Sequence, residues 1–135
     1  MEAYADPLKF FPPDPANTTD VSETVKLVLS NNKDTKDVNL NNIGGIDEKV
    51  FCEMFDGFRT NDTVVRFSAV NCEVNDFAAS TLNLALENNQ ALKSLNLESN
   101  RISPDTLAAL FESIESTNNG IVEIQLSNQA QANMG

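Results

Sequence analysis

Leu92-Lys93-Ser94-Leu95-Asn96-Leu97-Glu98-Ser99-Asn100-Arg101-Ile102 is the stretch that decides the reading of this chain. Its apolar residues and its Asn follow the pattern L-x-x-L-x-L-x-x-N-x-I, that of a leucine-rich repeat. Within it, Leu95-Asn96-Leu97 alternates apolar and polar, the period of a short strand with one buried face. Working outward, equivalent anchors stand at Val38, Phe67, Leu95 and Ile124, every 28 or 29 residues. Two positions after each anchor come Leu40, Ala69, Leu97 and Leu126, and three before it come Thr35, Val64, Leu92 and Ile121. Five after it come Ile43, Cys72, Asn100 and Gln129. Six before it come Asn32, Asn61, Asn89 and Asn118. Asn tolerates the left-handed backbone conformation that ends many helices, so this last set is expected to terminate the helix of each preceding unit.

Between the strands the period changes from 2 to 3.6. Over 47–59, Val50, Phe51, Met54, Phe55 and Phe58 form one helical stripe. Over 76–87, Phe77, Ala78, Leu82, Ala85 and Leu86 do the same, and over 104–116 so do Leu107, Leu110, Phe111 and Ile114. Val21, Val25, Val28 and Leu29 predict a short first helix with Asp20 as its cap, and Ser103-Pro104 is a helix start. These stripes are expected to be core, as are Cys72 and Cys52. The fold class that follows is α/β: a right-handed leucine-rich-repeat solenoid with short parallel strands on its concave side and helices on its convex side. One unit cannot bury its own apolar face, so the core exists only where neighbours stack.

Residues 1–17 carry Pro7, Pro12, Pro13 and Pro15 and read as an extended leader. Its Phe10 and Phe11 are expected to lie over the first helix; residues 1–9 read equally as a disordered tail. Residues 18–135 read as the repeat domain. No helical pattern follows the fourth strand, and a solenoid ordinarily closes with a polar cap. The last unit is therefore expected to be exposed, and the chain to be truncated or partnered after its fourth strand.

The 135 residues carry a net charge of -11 and no His. An acidic chain with scattered basic residues argues against a nucleic-acid or anionic-membrane partner. No apolar stretch approaches the roughly 20 residues of a membrane span. Without His, Ser-His-Asp and Cys-His triads are excluded, and two Cys do not make a zinc site. Gly44-Gly45 has neither the spacing nor the Lys of a phosphate loop. The expectation is a binding module rather than an enzyme, with no cofactor and no metal, monomeric and in the cytoplasm.

Outward strand positions are Asp37, Asn39, Asn41, Arg66, Ser68, Val70, Ser94, Asn96, Glu98, Glu123, Gln125 and Ser127. This face is polar and lacks the Trp, Tyr and Arg anchors that usually carry binding energy. The loops leaving the strands are the other place for recognition.

The string from Leu92 to Ile102, together with Leu40-Asn41-Asn42-Ile43, Ser127-Asn128-Gln129 and Pro12-Pro13-Asp14-Pro15, resembles the C-terminal domain of tropomodulins and their relatives, the leiomodins. The resemblance implies a domain that binds actin at the pointed end of the filament and caps it sterically. It points to Asn42, Arg101, Asn128 and Gln129 as partner-binding residues. It also implies a place on cytoplasmic actin filaments. Tropomodulins carry an N-terminal half that binds tropomyosin, and they continue past the fourth strand into another repeat and a basic closing helix. Neither has a counterpart here, so tropomyosin contact is expected through parts of the parent protein outside this chain. Ala130 stands where the family tends to place an Arg. A generic intracellular repeat scaffold for another protein is the alternative reading.

Overall fold

The computed structural model describes residues 16–117 and 120–130. The expected leader therefore lies outside the described residues except for Ala16 and Asn17, as do Asn118 and the segment after Ala130. Four helix–strand pairs follow in order: α1 (Val21–Leu29), β1 (Asp37–Asn39), α2 (Glu48–Gly57), β2 (Arg66–Ser68), α3 (Asp76–Leu86), β3 (Ser94–Asn96), α4 (Pro104–Thr117) and β4 (Glu123–Gln125). The strands form one parallel sheet in the order β1-β2-β3-β4. Its register pairs Val38 with Phe67, Phe67 with Leu95 and Leu95 with Ile124, so the anchors of the sequence pattern stack in one row.

The helices start where the capping residues dictate. The Asp20 carboxylate accepts from Glu23 N at 3.0 Å, Asp47 from Lys49 N at 3.1 Å and the Asn75 side chain from Ala78 N at 3.0 Å. Pro104 opens α4, with Ser103 Oγ accepting from Thr106 N at 3.4 Å. Each helix packs on its neighbour, and the stack encloses one apolar core.

That core is dominated by rings in its first half. Phe67 makes T-shaped contacts with two neighbours: its centroid lies 5.5 Å from those of Phe55 and Phe58, at 79° and 76°. Such edge-to-face contacts add about 0.5–1.5 kcal/mol each to the burial itself. Phe51, Met54, Phe55 and Phe58 are all essentially inaccessible, as are Leu95 and Leu97. Cys72 is buried, whereas Cys52 is only half-buried on α2, close to Thr81.

Three expectations are corrected. Phe77 is 64% exposed rather than core. In α3 it is Ala78, Ala79, Leu82, Ala85 and Leu86 that face inward, which leaves Phe77 on the outer flank. Within α4 only Leu110 is buried; Phe111 is 47% exposed, and Leu107 and Ile114 are half-covered, because no helix packs on their far side among the described residues. Of the asparagines six before the anchors, Asn32, Asn61 and Asn89 do not adopt the left-handed conformation, and Asn118 lies outside the described residues. Among non-glycine residues that conformation belongs instead to Asn31, directly after α1, to Glu73 and to the residue four after each anchor, Asn42, Asn71, Ser99 and Asn128, with φ of 57–64°.

Asn61 and Asn89 instead turn inward and are buried. Asn61 Nδ2 donates to Val28 O at 3.0 Å while its Oδ1 accepts from Thr63 N and Val64 N. Asn89 repeats this one unit on, donating to Phe58 O and Asn61 O and accepting from Ala91 N and Leu92 N. Each side chain thus ties carbonyls at the end of the previous helix to the turn into its own strand.

Candidate functional site

Two surfaces compete for a partner: the exposed face of the sheet and the rim of loops after the strands. The sheet face is a set of cross-strand polar ladders. Arg66 pairs with Asp37 at 3.3 Å, and Ser94 Oγ donates to Glu123 Oε1 at 2.7 Å. One step along, Asn96 Nδ2 donates to Gln125 Oε1 at 2.5 Å. At the next, Asn41 Oδ1 accepts from Ser68 Oγ at 2.5 Å and from Val70 N at 2.8 Å, and the Ser127 hydroxyl donates to Glu98. Side chains that satisfy one another across strands have little left to offer, and the face has no large aromatic anchor. Asn17 closes the β1 edge: its Nδ2 reaches Asn39 O at 3.1 Å and Asn41 O at 3.0 Å. Nothing in the repeat pattern singles out that residue.

The rim is built differently. At the left-handed position of each unit the chain turns out of the strand, which lifts Asn42, Asn71 and Asn128 into solvent. Asn71 Nδ2 donates to Asn42 Oδ1 at 3.1 Å, so neighbouring units align these amides in a row. Beneath the row lies a buried brace. Asn100, 1% exposed, accepts from Cys72 N at 2.9 Å and Val74 N at 3.0 Å, and donates to Ala69 O and Leu97 O, each at 2.8 Å. Cys72, at the same position one unit earlier, uses its thiol as a donor to Leu40 O at 2.9 Å. Burial pushes this thiol above its usual pKa, opposed by backbone hydrogen bonding at Ile43 and Asn42.

The four residues that sequence likeness singled out therefore fall into two groups. Asn42, Arg101 and Asn128 are exposed on the rim. Arg101 is fixed through its backbone, whose N–H donates to Val74 O at 2.9 Å in a bridge with Asn75, while its side chain projects outward. Gln129 is not free in the same way. It takes the brace position of the fourth unit, donating to Leu97 O at 2.8 Å and Leu126 O at 3.0 Å and accepting from Ile102 N at 3.1 Å. Sequence reasoning missed the row itself, though Asn recurring four residues after three of the four anchors was the available signal.

Among the described residues no group of His, Cys, Asp or Glu is placed to hold a metal ion, and no helix is long and apolar enough to cross a membrane. A polar groove of about 390 Å³ beside β1 carries Asp34 and Asp37, both exposed to water rather than enclosed.

Comparison with known proteins agrees with this architecture. Residues 17–134 match the family model described as the TMOD/LMOD leucine-rich domain. The chain is 36% identical over 126 residues to tropomodulin-4 of Bos taurus, covering 93% of this chain and 36% of that protein. It is 30% identical over 135 residues to the tropomodulin of Caenorhabditis elegans, covering 100% of this chain and 34% of that one. It thus spans about a third of the length of these relatives. Among solved structures, the C. elegans tropomodulin C-terminal domain superposes with a TM-score of 0.78 at 30% identity, over 87% of this chain and 70% of that one. A structure of leiomodin-1 actin-binding site 2 superposes with a TM-score of 0.77 at 26% identity, over 84% and 65% respectively. With its repeat register, its braced rim and these likenesses in agreement, the chain belongs to the tropomodulin/leiomodin family, within that family's leucine-rich domain.

Proposed function

We propose that this chain is an actin-binding module that acts sterically at the pointed end of the filament, with the loop rim as its contact surface. The observation that carries the reading is the superposition on leiomodin-1 actin-binding site 2, a domain whose name states its partner. The geometry supplies a mechanism: a stack of braced units presents a rigid edge, so little ordering entropy is lost on docking. Asn42 and Asn128 offer amide donors and acceptors, and Arg101 offers a planar cation suited to the carboxylates of an acidic protein surface. Gln129 acts as a positioning residue that holds the Asn128 loop. No bond is made or broken in this scheme; a bound slab excludes the incoming subunit. Tropomyosin is assigned no site on this chain, and the place of action is the cytoplasmic actin filament.

The test is pointed-end elongation of pyrene-labelled actin from gelsolin-capped seeds, with the chain titrated in. Slowed elongation is expected, and Arg101→Glu is expected to abolish it while leaving the thermal melt unchanged. Undiminished elongation together with no binding to monomeric actin would remove the proposal.

A further inference from the structure

Helices α2, α3 and α4 share one register, because their capping residues Asp47, Asn75 and Ser103 fall 28 residues apart. Outward positions can therefore be matched along the convex side. Near the helix starts the row reads Lys49, Phe77, Asp105; two turns on it reads Asp56, Leu84, Glu112. All six are exposed, and Glu53, Ser80, Ala108 and Ala109 between the rows are exposed with them. In α2 and α4 both rows carry charge. In α3 the same two places hold Phe77, 64% exposed, and Leu84, 54% exposed. The inner side of α3 does not need them, since Ala78, Ala79, Leu82, Ala85 and Leu86 already fill it. Nor do they mark a chain end, because α3 packs on a described helix at each flank.

We propose that this outer face of α3 docks a basic amphipathic helix of a partner protein. Phe77 and Leu84 stand seven residues apart on one helix, so about 10.5 Å apart along its axis. A partner helix laid along α3 repeats its own apolar face at that distance, with side chains at i, i+3, i+4 and i+7. An extended segment does not, because its same-face side chains recur about every 6.6 Å. Packed helices sit about 8–10 Å apart, which sets Glu53 and Asp56 on one flank of the apolar pair and Asp105 and Glu112 on the other. Asp56 is shared with Arg59 at 3.1 Å, and Lys49 is the one cation in the two rows. Helices α3 and α4 contain no Lys or Arg. Apolar anchors between acidic flanks complement a helix with Leu or Phe on one side and Lys or Arg at its borders. The same charges oppose a second copy of this chain and an anionic membrane. They also oppose residues 1–15, where Glu2, Asp6 and Asp14 outnumber Lys9. The proposal stands independently of actin binding at the rim.

Fluorescence anisotropy is the test, with the chain titrated into a labelled peptide of about 18 residues made only of Leu and Lys. The probe carries Leu at the helical spacing. One control of the same composition alternates Leu and Lys, and another carries Glu for Lys. Saturable binding of the helical Leu/Lys peptide is expected, at least about tenfold tighter than that of either control. A chain of net charge -11 attracts any polycation, so the deciding variant changes no charge. Phe77→Ser with Leu84→Ser should weaken binding about tenfold at an unaltered melt, while Val122→Ser, at an exposed apolar position elsewhere, should change nothing. Asp105→Asn with Glu112→Gln should weaken it about threefold and flatten its salt dependence. Equal binding of the alternating or the Glu peptide, or indifference to the Phe77 and Leu84 changes, would overturn the proposal. So would self-association in sedimentation velocity, or binding to phosphatidylcholine vesicles, that Phe77→Ser abolishes, since either gives the face to another occupant.

Discussion

Replacing Asn100 by Ala removes the brace under the loop rim, and the structure sets the size of the loss. Five hydrogen bonds reach this side chain: Cys72 N and Val74 N donate to it, and it donates to Ala69 O, Leu97 O and Glu98 O. Two of the acceptors keep a partner, because Leu97 O also receives Gln129 Nε2 and Glu98 O receives Asn71 N. Cys72 N, Val74 N and Ala69 O lose the bond that Asn100 supplies. A buried polar group left in that state costs about 1–3 kcal/mol, so the three together should cost about 3–9 kcal/mol. Domains of this size are stable by about 5–15 kcal/mol, so the effect is a large fraction of the whole. Gln129→Ala is the internal control. Gln129 does the same work in the last unit but is only half-buried, so water replaces its bonds and the loss should stay near 1 kcal/mol. Urea unfolding followed by far-ultraviolet circular dichroism, with unchanged m-value, reads both. A loss below about 1 kcal/mol for Asn100→Ala, or an equal loss for Gln129→Ala, would show that the buried amide does not hold the turns.

Leu95→Asp places a charge in a site with 0% exposure and is expected to unfold the chain, visible as loss of the cooperative thermal transition. Phe67→Ala should cost about 3–5 kcal/mol by chemical denaturation, while Phe77→Ala on the open flank of α3 should change stability by less than about 0.5 kcal/mol. Cys72 contributes a pH dependence whose sign follows from its raised pKa. Above the ordinary thiol value of 9.0 the unfolded chain releases its proton while the folded chain still holds it, so this stability is present at neutral pH and is lost as pH rises beyond that value. The gap in urea midpoint between wild type and Cys72→Ala should therefore be wider near about pH 7 than near about pH 10.

The sheet register was legible because its cause is periodic. A residue every 28 or 29 positions that must face a stacked neighbour has to be apolar, and Val38, Phe67 and Leu95 are. Helical faces were legible only where the stripe is narrow. In α2 the rings of Phe51, Phe55 and Phe58 leave no doubt about the inner side. In α3 small residues line the inner side, and Phe77 is an apolar residue one position off the inward row, which a count of apolar types does not separate from core. Exposure of the α4 flank depends on what packs beyond it, a fact carried by no residue of α4 itself.

The asparagines show a deeper ambiguity. Asn suits a left-handed turn through its backbone and a buried turn through its amide, and either role produces the same letter at the same interval. In this fold the two roles are divided by position. Asn42, Asn71 and Asn128 take the first and stand in water, while Asn61, Asn89 and Asn100 take the second and are buried. The division explains why a contact set drawn from likeness mixed Asn128 with Gln129, adjacent residues of similar chemistry. One faces outward because its φ is positive, and the other is turned inward by the carbonyls of Leu97 and Leu126. Substitution at Gln129 should weaken a partner only to the extent that it loosens the Asn128 loop, whereas substitution at Asn128 acts on the contact itself. Gln129→Asn and Asn128→Asp separate the two: the first should lower the melting temperature in step with any loss of actin binding, and the second should weaken binding at a constant melt. Parallel loss of stability and binding in both variants would mean that the rim is one structural unit and that no boundary between brace and contact exists.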